Sequence, residues 1–375
     1  MNELTQALTQ LDKDILTFIQ KGVDHQDNDT FNNLALRAFE LQFNHIPLYR
    51  RYCRRRDITP QEISSWDQIP PLPTDVFKEA EFSLLPSRSA RLFMTSGTSN
   101  LREQGKVHYD EGGLRLMDAT IKTAASSMLF PDNIRAVILV LAPPPEKAPY
   151  MVMVYGMNRL MDYFGLPQSR FLVEKTGFDV QALIDALRRS ETEGVPVAIC
   201  GGSFGFVNFF DYCHSKAMNF QLPAGSRCLD AGGFKGKSRE VGREEFLNHC
   251  EEILGVQKDF CINLLGMTEI SSQYYDNTIN NREKETDIPR AKSIPPWTRV
   301  MAVDPDSLEP LPFGQTGLLR HFDLANRGHI CAIQTDDLGS LVPGGFEVYG
   351  RARDDGSRGC SLSIDEMTRI IKEGA

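Results

Sequence analysis

The stretch Thr95-Ser96-Gly97-Thr98-Ser99 follows Leu92-Phe93-Met94 directly and puts four hydroxyls and a glycine where no apolar side chain intervenes before Leu101. Hydroxyls and free backbone N–H groups around a glycine make a concave donor surface suited to phosphate oxygens. Three later segments carry complementary chemistry. Gly266-Met267-Thr268-Glu269 ends the apolar run Phe260 to Leu265; Thr268 offers a hydroxyl to a phosphate, and Glu269 offers hard oxygen to Mg²⁺. Gln334-Thr335-Asp336-Asp337-Leu338-Gly339 puts two carboxylates, Asp336 and Asp337, at a strand end, where one of them can accept both hydroxyls of a ribose. Gly350-Arg351-Ala352-Arg353-Asp354 adds a glycine turn with two guanidinium groups.

Leu92 to Met94 read as the end of a buried strand, so the hydroxyl run is a turn. Between 135 and 265, apolar runs (Ala136 to Leu141, Val195 to Cys200, Arg227 to Asp230, Phe260 to Leu265) alternate with helical patterns (Asp179 to Arg189, Arg239 to Leu254). That alternation predicts an α/β fold with a largely parallel sheet covered by helices. Residues 3 to 22 and 28 to 56 have helical spacing and end in the basic run Arg54-Arg55-Arg56, read as a solvated face. A proline-stiffened connection, Ile69 to Lys78, follows. After about 295, short strands between Gly/Pro turns (Thr298 to Val303, Thr316 to Phe322, Phe346 to Tyr349) predict a small β subdomain.

The chain has 375 residues, a 41% hydrophobic fraction and a net charge of −9. It is long enough for a sizeable core, and its charge disfavours nucleic acid or an anionic membrane as partner. The N-terminus lacks the basic and apolar regions of a signal peptide, and the longest apolar stretch is broken by Asn158, Arg159 and Asp162. Both features predict a cytoplasmic protein without a transmembrane segment. None of the eight cysteines has C-x-x-C spacing, so neither a zinc motif nor a disulfide framework is expected. Most read as small core residues; Cys360, outside any apolar run, does not.

In this order, the four segments resemble the motifs of the adenylate-forming enzymes: a T-S-G-T-T-G phosphate loop, a G-x-T-E segment, a T-x-D segment and a G-R-x-x-D hinge. Asn100 replaces the last glycine of the loop, and its basic residue is displaced to Arg102 or Lys106. The proline run resembles the corresponding segment of phenylacetate-CoA ligases. With its length and its C-terminal Ser357 to Glu366, the whole chain resembles the acyl-protein synthetases of bacterial bioluminescence. That resemblance implies an adenylate-forming large domain over 1–350, with an N-terminal helical segment (1–80) and a β subdomain (295–350). A short C-terminal tail (351–375) would stand in place of the usual lid domain. It further implies activation of a fatty acid by ATP and Mg²⁺, then transfer from acyl-AMP to Cys360 as a thioester, for delivery to an acyl reductase or an acyl-carrier protein. Thr95, Ser96, Gly97, Thr98 and Ser99 would hold phosphates, with Thr268 and Gly266 beside the α-phosphate. Glu269 would hold Mg²⁺, Gly232 and Gly233 would flank adenine, Asp337 would take the ribose, and Arg351 would reach the nucleotide.

Other readings stay open at this level. Release of the acyl group to coenzyme A is one. Ala231-Gly232-Gly233-Phe234-Lys235-Gly236-Lys237-Ser238 fits a relaxed phosphate-loop pattern of a kinase or ATPase. Gly201-Gly202-Ser203-Phe204-Gly205 fits the nucleophile elbow of a serine esterase; otherwise Phe204, Phe206 and Phe209 would line an acyl pocket. A nucleotide-binding subunit without catalysis is the last.

Overall fold

The computed structural model describes residues 3–95, 104–174, 177–232, 238–352 and 358–373, with the backbone alone for 358–362. The chain divides into two compact units: residues 1–123, 267–272 and 293–375 form the first, and 124–266 with 273–292 the second.

The first unit begins with helices α1 (Glu3–Gln20), α2 (Asn28–His45) and α3 (Pro47–Arg55). In α1 the buried residues Leu8, Leu11, Ile15, Phe18 and Ile19 recur at three- and four-residue spacing, which makes one apolar stripe. Asp27 caps α2 by accepting the Thr30 N–H at 2.9 Å. Pro47, lacking an N–H, starts a new helix instead of continuing α2. The proline run supplies the short strand β1 (Leu72–Pro73) and a 3₁₀ turn over Thr74–Lys78. Strands β2 (Arg91–Met94) and β3 (Lys106–Tyr109) then form an antiparallel pair, followed by helix α4 (Glu111–Met128).

The second unit is built on a six-stranded sheet. Its strands and helices run β4 (Val137–Leu141), α5 (Val152–Phe164), β5 (Arg170–Phe171), the two-stranded β6 (Val173–Glu174) and β7 (Gly177–Phe178), α6 (Val180–Glu193), β8 (Val197–Gly202), α7 (Ser203–Ser215), β9 (Arg227–Ala231), α8 (Arg243–Leu254), β10 (Cys261–Leu265), β11 (Tyr274–Tyr275) and α9 (Thr278–Glu283). The sheet order is β11-β10-β9-β8-β4-β5, parallel except for β11. β4 and β8 carry continuous apolar runs because helices cover the sheet, while β9 and β10 interrupt theirs with Arg227, Asp230 and Asn263. Its core packs Leu139 and Ile199 with Phe206, Phe209, Phe210, Phe220 and Phe246. Phe206 and Phe209 are thus core residues and not pocket lining. Their rings meet Phe246 and Phe220 at centroid distances of 5.4 and 6.2 Å.

Back in the first unit, β12 (Thr298–Val303), β13 (Gly317–Asp323), β14 (Ala332–Val342) and β15 (Gly345–Arg351) pair antiparallel in sequence order, and β1 joins β14 in parallel. The segment beyond the hinge is a helix, α10 (Arg358–Lys372). Met367, Ile370 and Ser363 are buried on it. No helix among the described residues is long and apolar enough to cross a membrane.

Candidate active site

Residues 96–103, which include Ser96 to Ser99, lie outside the described residues. Their base does not. Thr95 N–H donates to the Gly105 carbonyl at 2.8 Å, and Gly105 N–H donates to Thr95 Oγ1 at 2.8 Å. A Cβ at position 105 would stand 2.8 Å from the Phe77 carbonyl oxygen, so only glycine lets the loop close this tightly. Thr95 therefore keeps its hydroxyl proton for another acceptor while its oxygen pins the loop.

The segment 267–272 runs beside this base. Thr268 Oγ1 donates to the Met94 carbonyl at 3.3 Å, one residue before Thr95. Asn326 holds the segment from behind: its Oδ1 accepts the Ser271 N–H and hydroxyl, both at 2.8 Å, and its Nδ2 donates to the Glu269 carbonyl at 2.9 Å. His329 Nε2 donates to the same carbonyl at 3.4 Å; burial drives its pKa down to about 3, so it stays neutral. Asp323 accepts the Ser272 N–H and hydroxyl at 2.8 and 2.9 Å. These anchors fix the backbone around Thr268 and Glu269, and none of them uses the Glu269 carboxylate.

Glu269 is buried, 8% exposed, and has no ion-pair partner among the described residues. Burial pushes its carboxyl up to about 7, against the partial relief of the Lys78 and Arg351 charges; Asp75 adds to the rise. A carboxylate held inside without its own counter-ion has the character of a functional group awaiting a cation. Asp337 and Arg351 are cross-strand partners on β14 and β15, and Arg351 Nε stands 3.5 Å from Asp337 Oδ1. Burial raises the Asp337 carboxyl above the ordinary value, Arg351 opposes that, and Asp336 reinforces it. Thr95, Thr268, Glu269, Asp337 and Arg351 thus gather in one unit.

Sequence reading missed Lys78, Asp75, Asn326 and His329. Their only sequence signal is polarity inside apolar surroundings, as in Leu324-Ala325-Asn326-Arg327-Gly328-His329.

Helix α10 is clasped to α3. Arg55 pairs with Glu373, Arg56 with Glu366, and Arg51 donates to the Ile370 carbonyl. Arg56 also lies over the Tyr52 ring, 3.9 Å from its centroid. Arg54 and Arg55 stay exposed, as the solvated-face reading expects, whereas Arg56 is half-buried in a docking seam. Cys360 is in the first turn of α10, four residues before Ile364. Ile364 packs on the same Val303–Leu318 patch as Leu338 and Ala352, the neighbours of Asp337 and Arg351.

In the second unit, β9 ends in the turn at Gly232, whose φ of +72° suits glycine; no described atom lies within 4 Å of where its Cβ would stand. Gly266 has the same open space at the end of β10. Residues 233–237, with Gly233, Lys235 and Lys237, lie outside the described residues. Ser203 Oγ lies 3.0 Å from Asp230 Oδ2 and 2.8 Å from the Gly232 carbonyl. Asp230 in turn accepts from Arg243 at 2.6 Å and Asn263 at 2.8 Å. With those partners and no histidine beside it among the described residues, Ser203 braces the turn instead of forming a nucleophile elbow.

This α/β architecture is that of the adenylate-forming ligases. The chain superposes on an open conformation of 2-hydroxyisobutyryl-CoA ligase, in complex with 2-HIB-AMP and CoA, with a TM-score of 0.64 and 14% identity, over 86% of this chain and 70% of the other. Residues 9–368 match the family described as Acyl-protein synthetase, LuxE, and the chain belongs to it. It is by that membership an enzyme, an acyl-protein synthetase that activates acyl groups at the expense of ATP. Two similar relatives are long-chain-fatty-acid–luciferin-component ligases. The one from Vibrio harveyi is 22% identical over 92% of this chain and 89% of its own length. The one from Aliivibrio fischeri is 22% identical over 98% and 96%.

Proposed function

We propose that this enzyme activates a long-chain fatty acid, the substrate class in its relatives' names, and carries the acyl group on Cys360. The acid's carboxylate oxygen attacks the α-phosphorus of ATP; the bond to the leaving oxygen breaks and pyrophosphate departs, giving acyl-AMP. The Cys360 thiolate then attacks the acyl carbon, AMP leaves, and the thiol proton passes to solvent. The gathering of Glu269, Thr268, Asp337 and Arg351 beside the closed base of the hydroxyl loop is the observation that carries this reading.

In it, Thr95 with Ser96, Gly97, Thr98 and Ser99 binds phosphates, and Thr268 holds the α-phosphate next to Gly266. Gly232 and Gly233 bear the adenine, Asp337 accepts the ribose hydroxyls, and Arg351 steadies the nucleotide. The Glu269 carboxylate fits Mg²⁺: it is a hard oxygen donor, buried and without an ion-pair partner among the described residues. When bound there, Mg²⁺ would neutralise phosphate charge. The seating of α10 near β14 and β15 supports Cys360 as acceptor. An acyl reductase or a carrier protein would take the group onward, and the cytoplasm is the compartment we assign.

The test is carboxylate-dependent ATP–pyrophosphate exchange. Wild type should exchange, and Glu269→Ala and Asp337→Ala should each lower the rate on the order of 10²-fold or more. Full activity in Glu269→Ala removes that residue from the site. ADP in place of AMP as product would restore the kinase reading.

A further inference from the structure

Three cysteines that no sequence spacing links come together in the second unit. Cys228 on β9 and Cys261 on β10 are register partners in the parallel pair, so their side chains leave the same face of the sheet. Cys250 comes down on them from α8. The three Sγ atoms lie within 4.8 Å of one another. All three residues are fully buried, within a core that includes Phe246, Leu247 and Leu254.

Geometry, donor type and charge point the same way. Three thiolates around one cation at a metal–sulfur distance of about 2.3 Å stand about 4 Å apart, a sub-ångström adjustment from this arrangement. Three sulfurs, joined by no histidine or carboxylate among the described residues, select a soft cation over Mg²⁺ and Ca²⁺. A divalent ion with three thiolates carries one net negative charge. Beside the cluster, Arg243, Arg290 and Lys292 face Asp230 and Asp276. Three cations against two carboxylates leave one positive charge to balance it. Arg243 and Arg290 reach the cluster itself, donating to the Cys261 carbonyl at 2.9 and 2.8 Å.

We infer that Cys228, Cys250 and Cys261 form a binding site for one soft divalent cation, zinc in the cell, held by three thiolates. Binding breaks three S–H bonds, forms three sulfur–metal bonds and releases three protons to solvent; no electron is transferred. The ion would tie α8 to the two strands that end at Gly232 and Gly266. Because the sulfurs are buried, loading occurs while the chain folds or when α8 parts from the sheet.

Cadmium is the probe. The full chain is produced in cadmium-supplemented medium under reducing conditions, then measured for metal content, thiolate-to-cadmium absorption and the ¹¹³Cd chemical shift, which counts bound sulfurs. One cadmium per chain with a three-sulfur shift supports the site. That count is made on the unaltered protein and does not depend on any variant folding. Cys250→Ser and the smaller Cys250→Ala should lose the three-sulfur signal, and Cys53→Ser should keep it. Absence of thiolate absorption, a two-sulfur shift, or an unchanged signal in a folded Cys250 variant overturns the inference.

Discussion

Replacing Glu269 by glutamine should stabilise this protein above neutral pH while destroying its activity. The carboxyl titrates at about 7 in the folded chain against an ordinary 4.5, because burial is only partly relieved by Lys78 and Arg351. At 1.36 kcal/mol per unit, that difference is about 3 kcal/mol of folding free energy. The sign follows from proton linkage. A folded-state pKa above the unfolded one means that the group's contribution is fully present below the unfolded value and is lost as pH climbs through the folded value. The window is therefore pH 4.5 to 7. Glutamine keeps the shape and never ionises, so it escapes the loss. Urea unfolding of both proteins, without nucleotide or Mg²⁺, should show the variant more stable by about 3 kcal/mol at pH 8 and by under about 1 kcal/mol at pH 5. Every other titrating group, including the neutral His329, is common to both proteins and cancels in the difference. A stability difference that is the same at both pH values, or a variant less stable at pH 8, would refute the claim that an uncompensated buried carboxylate sits at position 269. Together, higher stability and lost pyrophosphate exchange are the signature of a residue kept for function at a cost in folding.

Incubation with ATP, Mg²⁺ and a labelled fatty acid should tag the chain with a hydroxylamine-labile label; Cys360→Ser should lose the label and keep pyrophosphate exchange, and a label that survives moves the acceptor elsewhere. Free acyl-coenzyme A accumulating without label would make the enzyme a coenzyme A ligase. Ser203→Ala should leave exchange within a few-fold and cost about 1 kcal/mol of stability, since it removes one buried hydrogen bond at the Gly232 turn; ester hydrolysis abolished by the same change would restore the esterase reading. Arg56→Ala removes the Glu366 pair and the Tyr52 stacking, so limited proteolysis should cut α10 sooner while far-ultraviolet circular dichroism stays nearly unchanged. Cleavage at the wild-type rate would show that the seam does not hold the helix.

Much of this molecule was legible in one dimension. Strand Thr298–Val303 matches its sequence reading residue for residue, and Val137–Leu141, Arg227–Ala231 and Cys261–Leu265 match within one residue at each end. Strands buried on both faces are rich in apolar residues, and such stretches are visible without neighbours. The motif residues were legible because a ligand-facing turn needs glycine, hydroxyls and carboxylates whatever surrounds it. Residues whose meaning depends on distant partners were not. Phe206 and Phe209 read as acyl-pocket lining until Phe246 and Phe220 are found packed against them. Arg56 looks solvated until Glu366, more than 300 residues away, closes on it. The pKa of Glu269 exists only because folding removes its water, and no local pattern encodes desolvation. Cys228, Cys250 and Cys261 have no motif spacing. Their meeting is decided by the β9–β10 register and the seating of α8, and tertiary structure alone sets both.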